Sequence, residues 1–202
     1  MRTTDIILST RNQSKAHQIK AVFDGLPVRI LTLEEAGISG EAVEDGATLE
    51  ENALKKALFA WERTVKWSIA DDTGIFIDAL DGLPGVHSAR WAGEHATTEE
   101  IMRFTLEKLK GVPLENRTAT FKTVATIVAP HGIQTVFTGA VKGIILLEPR
   151  ALCQPKMPYS AIFKPDDHSK VWAEMSAEEQ NAVSHRGQAF RQAREFFAEK
   201  LK

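Results

Sequence analysis

The sequence predicts a mixed α/β fold in a single domain covering residues 1–202. Three observations lead there. Short apolar runs of strand length alternate with amphipathic helical segments over the first half of the chain. Strand-like runs then follow one another directly from Ala119 onward, two of them separated by a Pro-His-Gly turn. Helical periodicity returns at the C-terminus. Alternation followed by consecutive strands specifies a sheet with parallel and antiparallel parts, flanked by helices.

The elements follow in order. "TTDIILST" is a buried strand, and the segment after it carries Ile19, Val22, Phe23 and Leu26 at helical spacing, with Asp24-Gly25 as its stop. "VRIL" is a second strand. "TLEENALKKALFAW" is a helix with Thr48 and Glu51 at capping-box spacing and an apolar stripe of Leu54, Leu58, Trp61 and Val65. "WSIADDTG" reads as a strand ending in two acids and a turn, with "IFIDAL" as a possible continuation. Thr97 and Glu100 box the next helix, which stops at Gly111. "ATFKTVATIVA" and "IQTVFTGAVKGIILL" form a hairpin, and two helices opened by Ser176 and Ser184 complete the chain.

Composition narrows the function classes. A hydrophobic content of 43% is enough for a substantial core, and a formal net charge of −2 gives no cationic footprint for nucleic acid. The one cysteine, Cys153, excludes an intramolecular disulfide and a cysteine metal cluster. The opening "MRTTDIILST" has no long apolar run. The expectation is therefore a cytoplasmic protein without a membrane anchor.

Three groups of residues are placed to carry chemistry. Thr10, Asn12 and Lys15 lie between a strand and a helix start, where free backbone N–H groups and the helix dipole favour an anion. Asp71 and Asp72 are adjacent carboxylates, which repel unless a proton or cation intervenes. Mg²⁺ is such a cation, because it takes one or two carboxylates and completes its shell with phosphate and water. Glu44, Asp45, Glu50 and Glu51 lie upstream, although capping alone accounts for Glu51. His185 and Arg186 open the last helix and can hydrogen-bond a base carbonyl or a phosphate. Taken singly, each group also reads as ordinary structure: a strand–helix turn, an acidic turn, a solvated helix start.

Together, in order, the motifs resemble the inosine triphosphate pyrophosphatase family. "TRNQSK" is similar to the family's T-G-N-x-x-K, "GATLEENA" to G-x-T-x-x-E-N-A, and "ADDTGIFIDALDGLPGVHSARW" to A-D-D-S-G-L with the stretch after it. "AEMSAEEQNAVSHR" matches the late motif ending in S-H-R. The resemblance implies an elongated two-lobed mixed sheet with a central nucleotide cleft, and a homodimer. It also implies Mg²⁺-dependent hydrolysis of deaminated purine triphosphates (ITP, dITP, XTP) to monophosphate and pyrophosphate. In that reading Thr10, Arg11, Asn12 and Lys15 hold the phosphates with Thr73. Asp72 binds the metal with Glu44 or Glu51 and orients or deprotonates the water, Asp71 completes the acidic shell, and His185 and Arg186 face the base.

The resemblance breaks in one region. The family carries G-F-G-Y-D-P-I-F in the loop that closes on the base, and this chain reads "KMPYSAIF". Met157 replaces the aromatic, Tyr159 is kept, Ser160 replaces the aspartate, and Gln180 replaces a lysine before S-H-R. Arg11 replaces the glycine of the first motif. The base-binding set is therefore expected to include Met157, Tyr159, Ser160 and Gln180. Two other readings stay open at this level: a pyrophosphatase with a shifted base preference, and a nucleotide-binding protein that does not turn over.

Overall fold

The computed structural model describes residues 3–201. The chain divides into two compact units: Met1–Asp72 with Thr123–Gly139 and Arg186–Lys202, and Thr73–Lys122 with Ala140–His185. Among the described residues the sheet has seven strands, in the order β2–β1–β3–β5–β6–β7, with β4 paired to β3. The strands are β1 (Thr4–Leu8), β2 (Val28–Thr32), β3 (Trp67–Ile77), β4 (Pro84–Gly85), β5 (Thr118–Val128), β6 (Gln134–Ile145) and β7 (Phe163–Pro165). The helices are α1 (Gln13–Val22), α2 (Leu49–Thr64), α3 (Thr98–Lys108), α4 (Ala177–Val183) and α5 (His185–Lys200). This is the mixed α/β fold that the sequence predicts. Among the described residues, no helix is long and apolar enough to cross a membrane.

The first unit is built on parallel pairing. β1 pairs with β2 from Thr4↔Val28 to Leu8↔Thr32, and with β3 from Ile6↔Trp67 to Leu8↔Ile69. Parallel strands need both faces covered, which is why Ile6, Ile7 and Leu8 of β1 are all apolar and buried. Its core joins Ile6, Leu8, Ile19, Phe23 and Ile69 to Phe190 and Phe197 of α5. The Phe23 and Trp67 rings meet Phe197 edge-on at 6.0 and 5.1 Å. α1 ends at Val22 with Phe23 as its cap, and Gly25 takes φ +81 in the turn that follows.

Two expectations are corrected here. β3 does not end in a turn at its two acids; it runs unbroken through Asp71 and Asp72 to Ile77. The buried face of α2 is also not the predicted Leu54–Leu58–Trp61–Val65 stripe, since Val65 is 60% exposed. It is Leu49, Asn52, Ala53, Ala57 and Ala60. Small side chains let the helix backbone come close enough for Ser68 Oγ of β3 to donate to Ala57 O at 2.7 Å.

The second unit has its own core of Ile75, Ile77, Ile101, Leu109, Ile145, Tyr159, Phe163 and Trp172. Thr97 and Glu100 make the full capping box of α3, and Ser176 with Glu179 makes that of α4. β6 and β7 pair antiparallel, with Gly143 opposite Pro165. A Cβ on Gly143 would lie 2.8 Å from the Phe163 ring and would clash with the Lys164 carbonyl. We therefore expect Gly143→Ala to destabilise the protein by about 1–3 kcal/mol through overpacking, read as a lower urea midpoint. An unchanged midpoint would show that this strand pair yields more easily than its contacts indicate.

Candidate active site

Asp71 and Asp72 sit beyond the point where β1 leaves β3, at the C-terminal end of a parallel pair, where α/β sheets commonly place ligands. Both are buried, at 3% and 8% exposure. Asp71 Oδ2 accepts from Lys15 Nζ of α1 at 3.1 Å and from Arg186 Nε of α5 at 3.4 Å. Burial pushes the Asp71 pKa up, but Lys15, Arg186 and Lys56 outweigh it and hold the carboxyl well below the usual range. Lys15 is shifted down by its own burial and by the neighbouring Arg186 and Lys56, against the pull of Asp71.

Asp72 meets a different set. Its Oδ1 accepts from Lys56 Nζ at 3.0 Å and its Oδ2 from Asn52 Nδ2 at 3.2 Å, both from α2. Lys56 Nζ also reaches Glu44 Oε2 at 3.0 Å, so one ammonium bridges two carboxylates. Burial raises the Asp72 pKa, Glu44 adds to the rise, and Lys56 and Asn52 oppose it. The Lys56 pKa is raised, because Asp72, Asp71 and Glu44 together outweigh its burial.

The segment "GATLEENA" has a physical explanation in this site. Gly46 N donates to Asn52 Oδ1 at 2.8 Å. A Cβ on Gly46 would lie 2.7 Å from that same oxygen, so only glycine permits the approach. With its oxygen fixed on Gly46, the Asn52 amide must present its NH₂ to Asp72. Thr48 Oγ1 caps α2 by accepting from Glu51 N at 3.1 Å. Glu51 Oε2 accepts from Ala47 N at 2.7 Å, so the expected box closes on Ala47 instead of Thr48. The carboxylate of Glu51, an expected metal ligand, is thus engaged with the helix entry. Glu44 is the acid that joins Asp72 at Lys56.

The first loop is tied largely to itself. Thr10 Oγ1 accepts from Asn12 N at 3.2 Å, and Asn12 Oδ1 caps α1 by accepting from Lys15 N at 3.1 Å. Arg11, expected at the phosphates, donates to Gly40 O at 2.8 Å and Ile38 O at 3.3 Å, and pairs with Glu41 at 3.2 Å. It holds the chain that leads to Glu44. Arg186, expected at the base, places its guanidinium on Asp71 and on Gln18 Oε1 at 3.4 Å.

The base-loop residues lie in the second unit, and several have structural duties that the sequence did not reveal. Tyr159 is 3% exposed, and its hydroxyl donates to Ser88 O at 2.9 Å. Burial raises the Tyr159 pKa against the opposing hydrogen bonds of Thr105 and Ser88. Tyr159 is an anchor in the core, not an open contact surface. Ser160 Oγ donates to Met157 O at 2.7 Å and accepts from Gln154 N at 2.9 Å, so its hydroxyl is used inside the loop. Met157 is half-buried against the second core. Gln180 Nε2 donates to Trp172 O at 3.0 Å, Met175 O at 3.2 Å and Gln154 Oε1 at 3.3 Å. The His185 ring packs on Phe121 and Trp172, with centroids 5.0 and 5.4 Å away. Thr73 follows Asp72 on β3 and is half-buried.

Sequence reasoning missed Lys56, Asn52 and Gln154. A signal existed for the first two. They stand four apart on α2, so they share one face of that helix. Gln154 gave no such signal.

Residues 6–196 match the model of the Ham1 family. The chain is 42% identical over 186 residues to a dITP/XTP pyrophosphatase of Geobacter sulfurreducens, covering 92% of each chain. It is 41% identical to one from a Thermoanaerobacter species, covering 97% of this chain and 98% of the other. Among solved structures, a HAM1 protein from Coxiella burnetii superposes with a TM-score of 0.89 at 32% identity, covering 97% of this chain and 99% of that one. The Staphylococcus aureus Ham1 protein gives a TM-score of 0.87 at 30% identity, covering 98% and 100%.

Two outcomes follow from the site and its loop. The Asp71 pKa is depressed in the folded state, so its stabilisation is present above the ordinary value of 3.8 and is lost as the pH falls. Asp71→Asn leaves buried cations unmatched and should cost about 3–5 kcal/mol at neutral pH. The gap to wild type should narrow as the pH drops below the ordinary aspartate range, measured by urea denaturation. A pH-independent gap would count against this pairing. In the loop, Met157 N donates to Gln154 O at 3.0 Å across Pro155 and Lys156, with Lys156 at φ +61. That is the type II pattern, which prefers glycine at this position. Lys156→Gly should therefore raise stability by about 1 kcal/mol, and a fall in melting temperature would refute the turn assignment.

Proposed function

Because the chain belongs to the Ham1 family, we propose that it hydrolyses deaminated purine nucleoside triphosphates, such as dITP, ITP and XTP, to the monophosphate and pyrophosphate. The observation that carries this reading is the paired acid site on β3. Two adjacent buried carboxylates are held apart by separate cations, one beside Lys15 and Arg186 and the other beside Lys56 and Glu44.

The charges of this site support a divalent ion. Lys15, Lys56 and Arg186 face Asp71, Asp72 and Glu44, so the three cations are already matched by three carboxylates. An arriving triphosphate adds negative charge that the protein alone does not balance. Among the described residues, no group of three or more His, Cys, Asp or Glu forms a ready metal cage. Glu44 and Asp72 nevertheless converge on one cationic point, now filled by the Lys56 ammonium. Two carboxylates, with phosphate and water supplying the remaining ligands, suit Mg²⁺. When bound, the ion would offset phosphate charge and lower the pKa of the attacking water.

The chain's own residues do the rest. Lys15 and Arg186 share Asp71, which keeps both oriented. Each can turn part of its donor set to phosphate oxygens, Arg186 through the fork not engaged by Asp71. Arg186 is thus assigned to the phosphates in place of the base. Asn52 fixes the Asp72 carboxylate, which orients or deprotonates the water that attacks the α-phosphorus; the α–β anhydride bond breaks and pyrophosphate leaves. A homodimer and a cytoplasmic location belong to the same proposal.

Pyrophosphate release with Mg²⁺ over a panel of ITP, dITP, XTP, GTP, ATP and pyrimidine triphosphates tests the reading. Preference for ITP or XTP supports it. Turnover of another base alone indicates a shifted preference, and thermal stabilisation by nucleotide without turnover indicates a binding protein. We expect Asp72→Asn to lower kcat by about 10²–10⁴-fold, the range of general-base contributions, while nucleotide binding persists. Full activity in that variant would remove Asp72 from the mechanism.

A further inference from the structure

Glu44 sits in a stretch, residues 41–46, that has no helix or strand of its own. Such a segment holds a side chain in place only through its points of attachment, because no ladder or helix bonds resist local opening. Upstream, Ile38 is buried with Ile7, Leu33 and Ala60, and its N donates to Leu33 O at 2.8 Å. Downstream, Gly46 N donates to Asn52 Oδ1 at 2.8 Å. Glu44 lies between these two attachments.

Arg11 supplies a further attachment between them. Its Nη2 donates to Gly40 O at 2.8 Å and to Ile38 O at 3.3 Å. Its Nε lies 3.3 Å from Gly40 O and 3.2 Å from Glu41 Oε1. One planar fork thus engages two main-chain carbonyls and a carboxylate, a set of directions that suits a guanidinium and not an ammonium. Gly40 takes φ +81 at this turn, and a Cβ there would meet the Phe59 ring at 3.6 Å. The tied turn therefore rests on α2, the helix that also carries Asn52 and Lys56. The other end of the tie is fixed too. Arg11 stands between Thr10 and Asn12, whose side chains close the first loop and cap α1. With its side chain 40% exposed, the Arg11–Glu41 pair alone would contribute little. The charge-assisted bonds to the carbonyls make the difference.

We propose that Arg11 is a positioning residue: it ties the loop of residues 10–15 to the acidic loop and so holds Glu44 at the point it shares with Asp72 and Lys56. This rests on the pyrophosphatase reading and deepens it, since it states how the second acid facing the metal is kept in place. Arg11 acts through the backbone at Ile38 and Gly40, and its contribution depends on the fork of the guanidinium. A direct phosphate contact would depend on positive charge instead, which Arg11→Lys would keep.

Limited proteolysis of the free protein with a glutamate-specific protease reads the tie without nucleotide, metal or turnover. Arg11→Ala should speed cleavage after Glu41 and Glu44 about tenfold relative to cleavage elsewhere in the chain, the scale of bonds made by a charged donor. Arg11→Lys should lie close to Arg11→Ala. Equal cleavage rates in wild type and both variants would overturn the proposal. In turnover of ITP, Arg11→Ala should raise the Mg²⁺ concentration at half-maximal rate about tenfold, more than it raises KM for ITP. That effect should vanish in a Glu44→Gln background, because it is exerted through Glu44. A raised KM with an unchanged Mg²⁺ requirement, restored by Arg11→Lys, would make Arg11 a phosphate contact and overturn the tie. Absent turnover in wild type beside faster cleavage of the variants would count against the catalytic reading and leave the tie standing.

Discussion

The ion pairs of Asp71 are the constraint on which the first unit depends. A carboxylate 3% exposed inside a sheet is untenable without partners, because the desolvation penalty of a lone buried charge amounts to several kcal/mol. Its partners come from distant parts of the chain: Lys15 is 56 residues before it and Arg186 is 115 residues after it. Satisfying one carboxylate therefore fixes the N-terminal turn of α1 and the first turn of α5 against β3. The arrangement stores two cationic side chains in defined positions, which in the proposed reaction a phosphate group would recruit with little reorganisation.

The neighbouring Asp72 shows how two adjacent acids coexist. Successive side chains on a strand point to opposite faces. Because β3 continues unbroken through both residues, Asp71 turns to α1 and α5 while Asp72 turns to α2. The repulsion expected of a carboxylate pair at a turn is relieved by geometry. It also divides their chemistry. Asp71 is held firmly ionised by its cations, whereas burial and Glu44 leave Asp72 more basic. One orients donors and the other is suited to water.

Much of this was legible in the sequence, for identifiable reasons. Strand and helix types came through because periodicity and caps are local, as at Thr97–Glu100 and Ser176–Glu179. Asp71, Asp72 and Lys15 were found because charge near an apolar strand end is conspicuous. What stayed hidden depends on tertiary contact. Alanines at 53, 57 and 60 carry little hydrophobic signal, yet they set how closely α2 approaches β3. Lys56 reads as one of many surface lysines until the loop bearing Glu44 folds over it. Arg11 and Arg186 were identifiable as cations, but nothing local says that one straps a loop and the other shares a buried acid.

The altered loop illustrates the same limit. Residue by residue, Met157, Ser160 and Gln180 look like a stacking ring, an acid and an ammonium removed. In the fold, the Ser160 hydroxyl closes a turn that brings Gln154 beside Gln180.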